Sequence, residues 1–471
     1  MNMNKPKRPS PAIKRNEGRH QNPQERIKNF EEVALGFDFN EALTEAARCL
    51  NCPTKPCEKS CPVNVKIPEF ITHLYNEDMQ SAILKIYETN LFPAICGRVC
   101  PQENYCENAC VLREKFGSVS IGRLERFVAD WARKNNLLKL PRCEKENGFK
   151  VACVGSGPSS LAVAAELKKK GYDVTIFEAL HEYGGVLRYG IPTFRLPREV
   201  INFEVENLKK MGVKFIKNVL IGKSILLDEL RKDFDAIFIG TGAGLPSPLG
   251  VDGEGLIGVY SSNEFLTRIN LMKGYKFPEY DTPVYVGKKV IVVGGGNTAM
   301  DSARCAKRLN PESVTVLYRR TKTEMPARAE EVENAIEEGI KFEFLTAPVS
   351  LEGDENGKLK RVKCIRMELG EPDSSGRRKP IPIKGSEFTI EADVIIAAIG
   401  QSPNPLIQKT TDIKTNRWNC LIVDENGRTS IEGVFAGGDV VRGGATVLLA
   451  MKDGKLAANA IDEYLKTRVK K

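Results

Sequence analysis

Eight of the thirteen cysteines in this 471-residue chain fall between Cys49 and Cys110, in two blocks. The first reads Cys49-x2-Cys52-x4-Cys57-x3-Cys61-Pro62, and the second Cys96-x3-Cys100-Pro101-x4-Cys106-x3-Cys110. Thiols crowded in this way either pair as disulfides or hold metal. The segment Met1–Gln24 is basic and Pro-rich without an apolar core, so it reads as a flexible or surface-draped arm and not as a secretory signal. A reducing, cytoplasmic setting is then expected, where structural disulfides are disfavoured. The odd cysteine total points the same way. The only histidines, His20, His73 and His181, lie outside both blocks, which leaves mixed Cys/His zinc sites unsupported. The run ending in Cys-x3-Cys-Pro partly matches the ferredoxin pattern, in which the last cysteine ligates the other cluster of a pair. On that logic Cys49, Cys52 and Cys57 seed one cluster, Cys61 crosses to a second, and the second block completes both. Two 4Fe-4S clusters are expected, with zinc as the alternative.

The length predicts about three domains. A hydrophobic content of 41% with 28% charged residues is ordinary for a globular protein. No 18-residue apolar run is present, so no membrane helix is expected. The net charge of +9 is spread along the chain and no nucleic-acid module accompanies it, so nucleic-acid binding is not expected. The basic bias suits docking of an acidic redox partner. Helical periodicity surrounds the thiols over 39–50, 67–89 and 121–132, with Ile121, Leu124, Phe127, Val128 and Trp131 on one face. An arm over 1–30 and an all-α cluster domain over 31–144 follow, the latter dependent on its cofactors for stability.

Beyond it lie two nested dinucleotide folds, giving an α/β class. The apolar run 151–154 leads into Gly155-x-Gly157-x-x-Ser160 and a helix through Lys170; the next strand, 174–177, ends at Glu178. This is the context a Gly-rich fingerprint requires. Gly155, Ser156, Gly157, Pro158 and Ser159 would approach a pyrophosphate at a helix N-terminus, and Glu178 would accept from a ribose. Ser160 stands where Gly or Ala is usual. A second copy follows strand 290–293 at Gly294-x-Gly296-Asn297-Thr298-Ala299, and its next strand, 314–317, ends in Tyr318-Arg319-Arg320 without an acid. Arginine at that point accommodates a 2′-phosphate, so NADPH is expected there, with Arg328 assisting. Asn297 and Thr298 read equally as helix caps. Gly438-Asp439 ends a late strand and a helix starts near Ala445, Thr446 and Val447, an arrangement that returns to the flavin in two-dinucleotide flavoproteins. The segments 238–242 and 398–400 mark the crossings. The FAD domain is therefore expected over 145–280 and 403–471, split by an NADPH domain over 281–402.

In this order the three units resemble the small (β) subunit of bacterial glutamate synthase and the N-terminal half of dihydropyrimidine dehydrogenase. Arg26–Phe30, Cys61–Phe70 and Gly97–Gln102 look like the large subunits of NADH-dependent reduced ferredoxin:NADP+ oxidoreductases, an electron-bifurcating group within that family. The resemblance implies that Cys49, Cys52, Cys57 and Cys110 hold one cluster. It also implies that Cys61, Cys100 and Cys106 hold the other with Glu125, with Cys96 as the alternative fourth ligand. Gly185, Leu187 and Arg188 would contact FAD, as in relatives. By the same resemblance NADPH reduces FAD; one electron goes through the clusters to ferredoxin. The other goes to a smaller flavoprotein subunit that carries FAD and a 2Fe-2S cluster and binds NAD(H). No catalytic side chain is expected, because the flavin supplies the chemistry.

Three other readings compete. A glutamate synthase small subunit would use the same cofactors and deliver electrons to an amidotransferase partner. A thioredoxin-reductase-like enzyme needs a Cys-x2-Cys beside the flavin, and the nested folds hold only isolated Cys153, Cys305, Cys364 and Cys420. A non-catalytic relay subunit fits poorly with two intact fingerprints. Cys143 reads as incidental, and Asp373–Lys379 as a polar hairpin or loop without function.

Overall fold

The computed structural model describes residues 6–141, 143, 145–373 and 376–468. Short helices carry the cysteine region: Phe39–Ala47, Ile67–Tyr75, Met79–Tyr87, Pro93–Val99 and Ile121–Lys134. Asp38 starts the first with a capping box to Glu41. The helical run expected over 67–89 is two helices, because Glu77 adopts φ +63° and Asp78 then caps a new start through the Ser81 N–H at 3.0 Å. Pro93 opens the next helix, and Cys100 ends it in extended backbone.

The arm is draped and tied down. Arg19–His20 pairs antiparallel with Ala34–Gly36. The Arg8 Nε donates to the Cys49 carbonyl at 3.0 Å, and the Arg15 Nη2 to Glu107 Oε2 at 2.7 Å. The first five residues lie outside the described residues.

Two parallel five-stranded sheets form the rest of the scaffold. The first runs Val434–Ala436, Ala236–Ile239, Lys150–Val154, Asp173–Phe177, Lys214–Ile216. The second runs Lys341–Phe344, Ser313–Tyr318, Lys289–Val293, Val394–Ala397, Val259–Ser261. Val259–Ser261 thus belongs to the second sheet, and the second fold begins upstream of residue 281, where the sequence reading put it. An antiparallel sheet of Thr346–Gly353, Leu359–Pro372, Arg378–Pro382 and Phe388–Glu391 is inserted in that fold. The two crossings run side by side, joined where Leu245–Pro246 pairs with Gln401–Ser402.

The helical region does not have a core of its own. One apolar cluster runs from Phe70, Ile83 and Leu124 into Val151, Val163, Ile176 and Ile461 of the first dinucleotide fold. The second fold is tied to the arm by charge. Glu338, fully buried, accepts from Arg26 Nε, Arg304 Nη2 and Arg308 Nη1, each at 2.8 Å. Burial opposes its ionisation, but the Arg304 charge and the bonds from Arg308 and Arg304 hold its carboxyl down at about 2. Replacing Glu338 by Ala removes the acceptor that three buried guanidiniums share, leaving Arg304 with Glu331, Arg26 with Glu337 and Asn334, and Arg308 with the Asn29 carbonyl. Glu338→Ala is expected to lose about 3–5 kcal/mol in denaturant unfolding. A group with a lowered folded pKa contributes stability above its unfolded value of 4.5, and that stability drains as pH falls towards about 2. The variant should lack that part of the acid-dependent loss.

Candidate electron-transfer site

The thiols divide into two sets in space. Cys49, Cys52, Cys57 and Cys110 line one hollow together with Ile67, Ile71, Leu112 and Ile121. All four are partly exposed. Burial pushes the Cys57 thiol up to about 12, and the Cys49 charge adds to it. Cys61, Cys96, Cys100 and Cys106 are buried, and each feels the charge of Glu125. Burial raises the Cys61 thiol, while backbone N–H groups of Val65, Val63 and Asn64 favour its thiolate. Glu125 is buried and accepts from Asn90 Nδ2 at 2.8 Å; burial pushes its carboxyl up to about 8. Cys96 Sγ lies 3.7 Å from Met451 Sδ and 3.8 Å from Asn90 Oδ1. Among the described residues no three His, Cys, Asp or Glu side chains gather closely enough to share a single ion.

Between the two dinucleotide folds lies one continuous cleft of about 1670 Å³. Its walls include Gly155, Ser156, Gly157, Pro158, Ser159, Glu178 and Gly185 from the first turn, and Asp439, Ala445, Thr446 and Val447 from the late strand and helix. Gly294, Gly296, Asn297, Thr298, Arg319 and Arg320 line the same space. Gly155 (φ +92°) and Gly294 (φ +142°) each press a crossing segment: an added Cβ would sit 2.7 Å from the Gly240 oxygen and 2.3 Å from the Ala398 oxygen. Only glycine lets each turn approach its crossing this closely. Glu178 braces the first turn, accepting from the Ser156 N–H and the Leu180 N–H at 2.9 Å each. Burial raises the Asp439 carboxyl to about 6. Val99 and Pro101, on either side of Cys100, also line the cleft.

Five residues expected in the nucleotide sites do not line the cleft. Leu187 packs into the first core and Ala299 into the second. Gly438 backs onto Ser159. Arg188 turns away, donating from Nε to the Tyr183 carbonyl at 3.2 Å and pairing with Asn202. Arg328 points to the cysteine region, donating from Nη1 to the Arg98 carbonyl at 3.2 Å and from Nη2 to Gln102 Oε1 at 3.1 Å. Of the two strand-end arginines, Arg320 is buried and committed to the Arg378 carbonyl at 2.7 Å and to Asp373. Arg319 is exposed. Arg377, in the hairpin read as functionless, also lines the cleft; Ser374 and Ser375 of that hairpin lie outside the described residues. Two adjacent arginines in a turn were its only signal.

Residues 149–463 match the pyridine nucleotide-disulphide oxidoreductase family, and the chain belongs to it. Residues 26–137 match dihydropyrimidine dehydrogenase domain II, 4Fe-4S cluster. Together these make the protein an iron-sulfur flavoprotein oxidoreductase acting on NADPH, with FAD, NADP(H) and 4Fe-4S as its cofactors. It is 37% identical over 445 residues to the glutamate synthase [NADPH] small chain of Escherichia coli, covering 93% of this chain and 94% of that one. It is 38% identical over 467 residues to the NADPH-Fe(3+) oxidoreductase subunit beta of Geobacter sulfurreducens, covering 93% of this chain and 68% of that one. Among solved structures, FprA of Mycobacterium tuberculosis in complex with NADPH shares the fold, with TM-score 0.58 and 20% identity over 68% of this chain and 85% of that one. Four thiols lining one hollow match the ligand number and kind of a 4Fe-4S cluster, and the shared cleft has room for two dinucleotides. Among the described residues no helix is long and apolar enough to cross a membrane.

Proposed function

We propose that this chain oxidises NADPH at the Gly294–Thr298 turn and accepts the hydride on FAD held by the Gly155–Ser159 turn. Electrons then leave singly through two 4Fe-4S clusters to ferredoxin, while a smaller flavoprotein subunit with FAD and a 2Fe-2S cluster serves NAD(H). FAD supplies the conversion of hydride into single electrons. The protein's part is to set the two nucleotides in one cleft and bring a cluster to its wall. The observation that carries the reading is that Val99 and Pro101, which bracket Cys100, line the nucleotide cleft.

In this reading Cys49, Cys52, Cys57 and Cys110 hold the outer cluster, and Cys61, Cys100, Cys106 and Glu125 the inner one. Support for the first set is the common hollow; for the second it is the burial of the thiols around Glu125, whose charge Cys96 feels as well, so that the choice of Glu125 over Cys96 rests on the family resemblance. Cys96, wedged against Met451, acts as a packing residue. Arg319, exposed at the cleft, receives the 2′-phosphate, and Arg377 lines the same cleft.

A second reading, the NADPH-oxidising small subunit of glutamate synthase, is favoured by the nearly full-length match to the Escherichia coli small chain. It shares every site above and differs only in the acceptor.

Three outcomes are expected. Arg319→Ala should remove a charge-assisted contact of about 1.5–3 kcal/mol, raising KM for NADPH roughly ten- to a hundredfold and leaving KM for NADH unchanged. Glu125→Ala should lose or alter one cluster by iron count and electron paramagnetic resonance, whereas Cys96→Ala keeps both; the reverse pattern would overturn the ligand assignment. The complex purified from native cells should reduce ferredoxin with NADPH only when NAD+ is present. Turnover that instead requires glutamine and 2-oxoglutarate would establish the second reading.

A further inference from the structure

Arg328 caps the start of helix Ala329–Glu337 in the second dinucleotide fold, yet its side chain serves the cysteine region. Its backbone is anchored on the fingerprint turn: the Arg328 N–H donates to Asn297 Oδ1 at 2.9 Å, and the Ala327 N–H to the Gly295 carbonyl at 3.2 Å. Its guanidinium is 8% exposed and uses its whole fork. Nη1 donates to the Arg98 carbonyl at 3.2 Å, Nη2 to Gln102 Oε1 and Glu330 Oε2 at 3.1 Å each, and Nε to Glu103 Oε1 at 3.2 Å.

Arg98 and Gln102 lie on either side of Cys100. Gln102 also donates its amide to the Cys96 carbonyl at 3.3 Å and its backbone N–H to the Cys100 carbonyl at 2.9 Å. The loop that carries Cys100 is therefore gripped by a residue whose backbone hangs from the nucleotide turn. The Arg328 guanidinium bonds to residues on both sides of Cys100, so its charge is held at that loop. A cation held there also favours a cluster that gains negative charge on reduction.

We infer that Arg328 is a positioning residue that couples occupancy of the second dinucleotide turn to the inner cluster, through Asn297 and Gly295 on one side and Arg98 and Gln102 on the other. The inference rests on the inner-cluster assignment proposed above. A ligand on the turn bears on the two groups from which residues 327–328 hang, and the rigid fork transmits any shift to the Cys100 loop.

The test uses the holoprotein reduced with dithionite and the probe 2′-phospho-ADP-ribose, which lacks the nicotinamide and takes no hydride. In the unaltered protein the probe should change the g-values or line width of one cluster's paramagnetic signal. In Arg328→Gln that response should vanish, the same cluster's midpoint potential should fall, and the dissociation constant of the probe should stay within about twofold, because Arg328 does not line the cleft. Arg328→Lys, which keeps the charge but not the fork, should retain the potential and lose the response; it also serves if the glutamine variant fails to fold. A tenfold or weaker binding of the probe in both variants would make Arg328 a nucleotide ligand and overturn the inference. So would an unaltered protein whose cluster signals ignore the bound probe. An iron count of about four per unaltered chain, in place of about eight, would instead overturn the two-cluster reading, and the inference with it.

Discussion

Buried guanidiniums at the seams between domains hold this molecule's redox sites in register. Arg26 carries the arm into the second dinucleotide fold through Glu338. Arg195, from the first fold, donates from Nη1 to both oxygens of Asp301 in the second at 2.8 Å, and its Nε is ion-paired with Glu331 at 3.0 Å. Arg98 joins Glu32 to Asp130 across the cysteine region, and Arg328 joins the second fold to the Cys100 loop. A guanidinium out of water must fill its planar fork with acceptors, so each such residue permits one arrangement of the neighbouring pieces. Apolar contact, which dominates elsewhere, has no comparable directionality.

That fixed arrangement makes the relay physically sensible. Parallel strands bring two Gly-rich turns to the same end of their sheets, and the side-by-side crossings close one cleft between them. The helix Val447–Lys466 starts at the cleft and touches the cysteine region at Met451 and at Lys455, whose amine donates to the Val63 carbonyl at 3.4 Å and also to the Thr89 carbonyl. Buried Cys100 lies between two residues that line the cleft, and the half-buried thiols line a separate hollow. In the proposed relay, this packing would lay the path from nucleotide to surface.

Much of this was legible in the chain. The spacing of Gly155, Gly157 and Glu178, and of Gly294, Gly296 and Arg319, is set by one strand, one turn and one strand, so local pattern sufficed. The break at Glu77 was hidden because apolar periodicity continues across it, although Asp78, a poor helix-interior residue and a good cap, was a local signal for a new start. The domain boundary escaped for a different reason. Val259–Ser261 is a three-residue strand whose partner, Val394–Ala397, lies far along the chain. Arg328 and Arg188 looked like nucleotide ligands because each sits near a fingerprint element, but sequence proximity does not give side-chain direction.

The sequence by itself determined the inventory: eight clustered thiols, two Gly-rich turns whose following strands end in an acid and in arginines, and an interrupted first fold. Those features are local, and each is dictated by the chemistry of a few consecutive residues. Only the tertiary structure decided which thiols share a hollow, that Arg319 and not Arg320 is exposed at the cleft, and that Arg328 grips the cysteine loop instead of a nucleotide. These are matters of distance between residues remote in the chain, settled by how buried charges find partners when the domains close on one another.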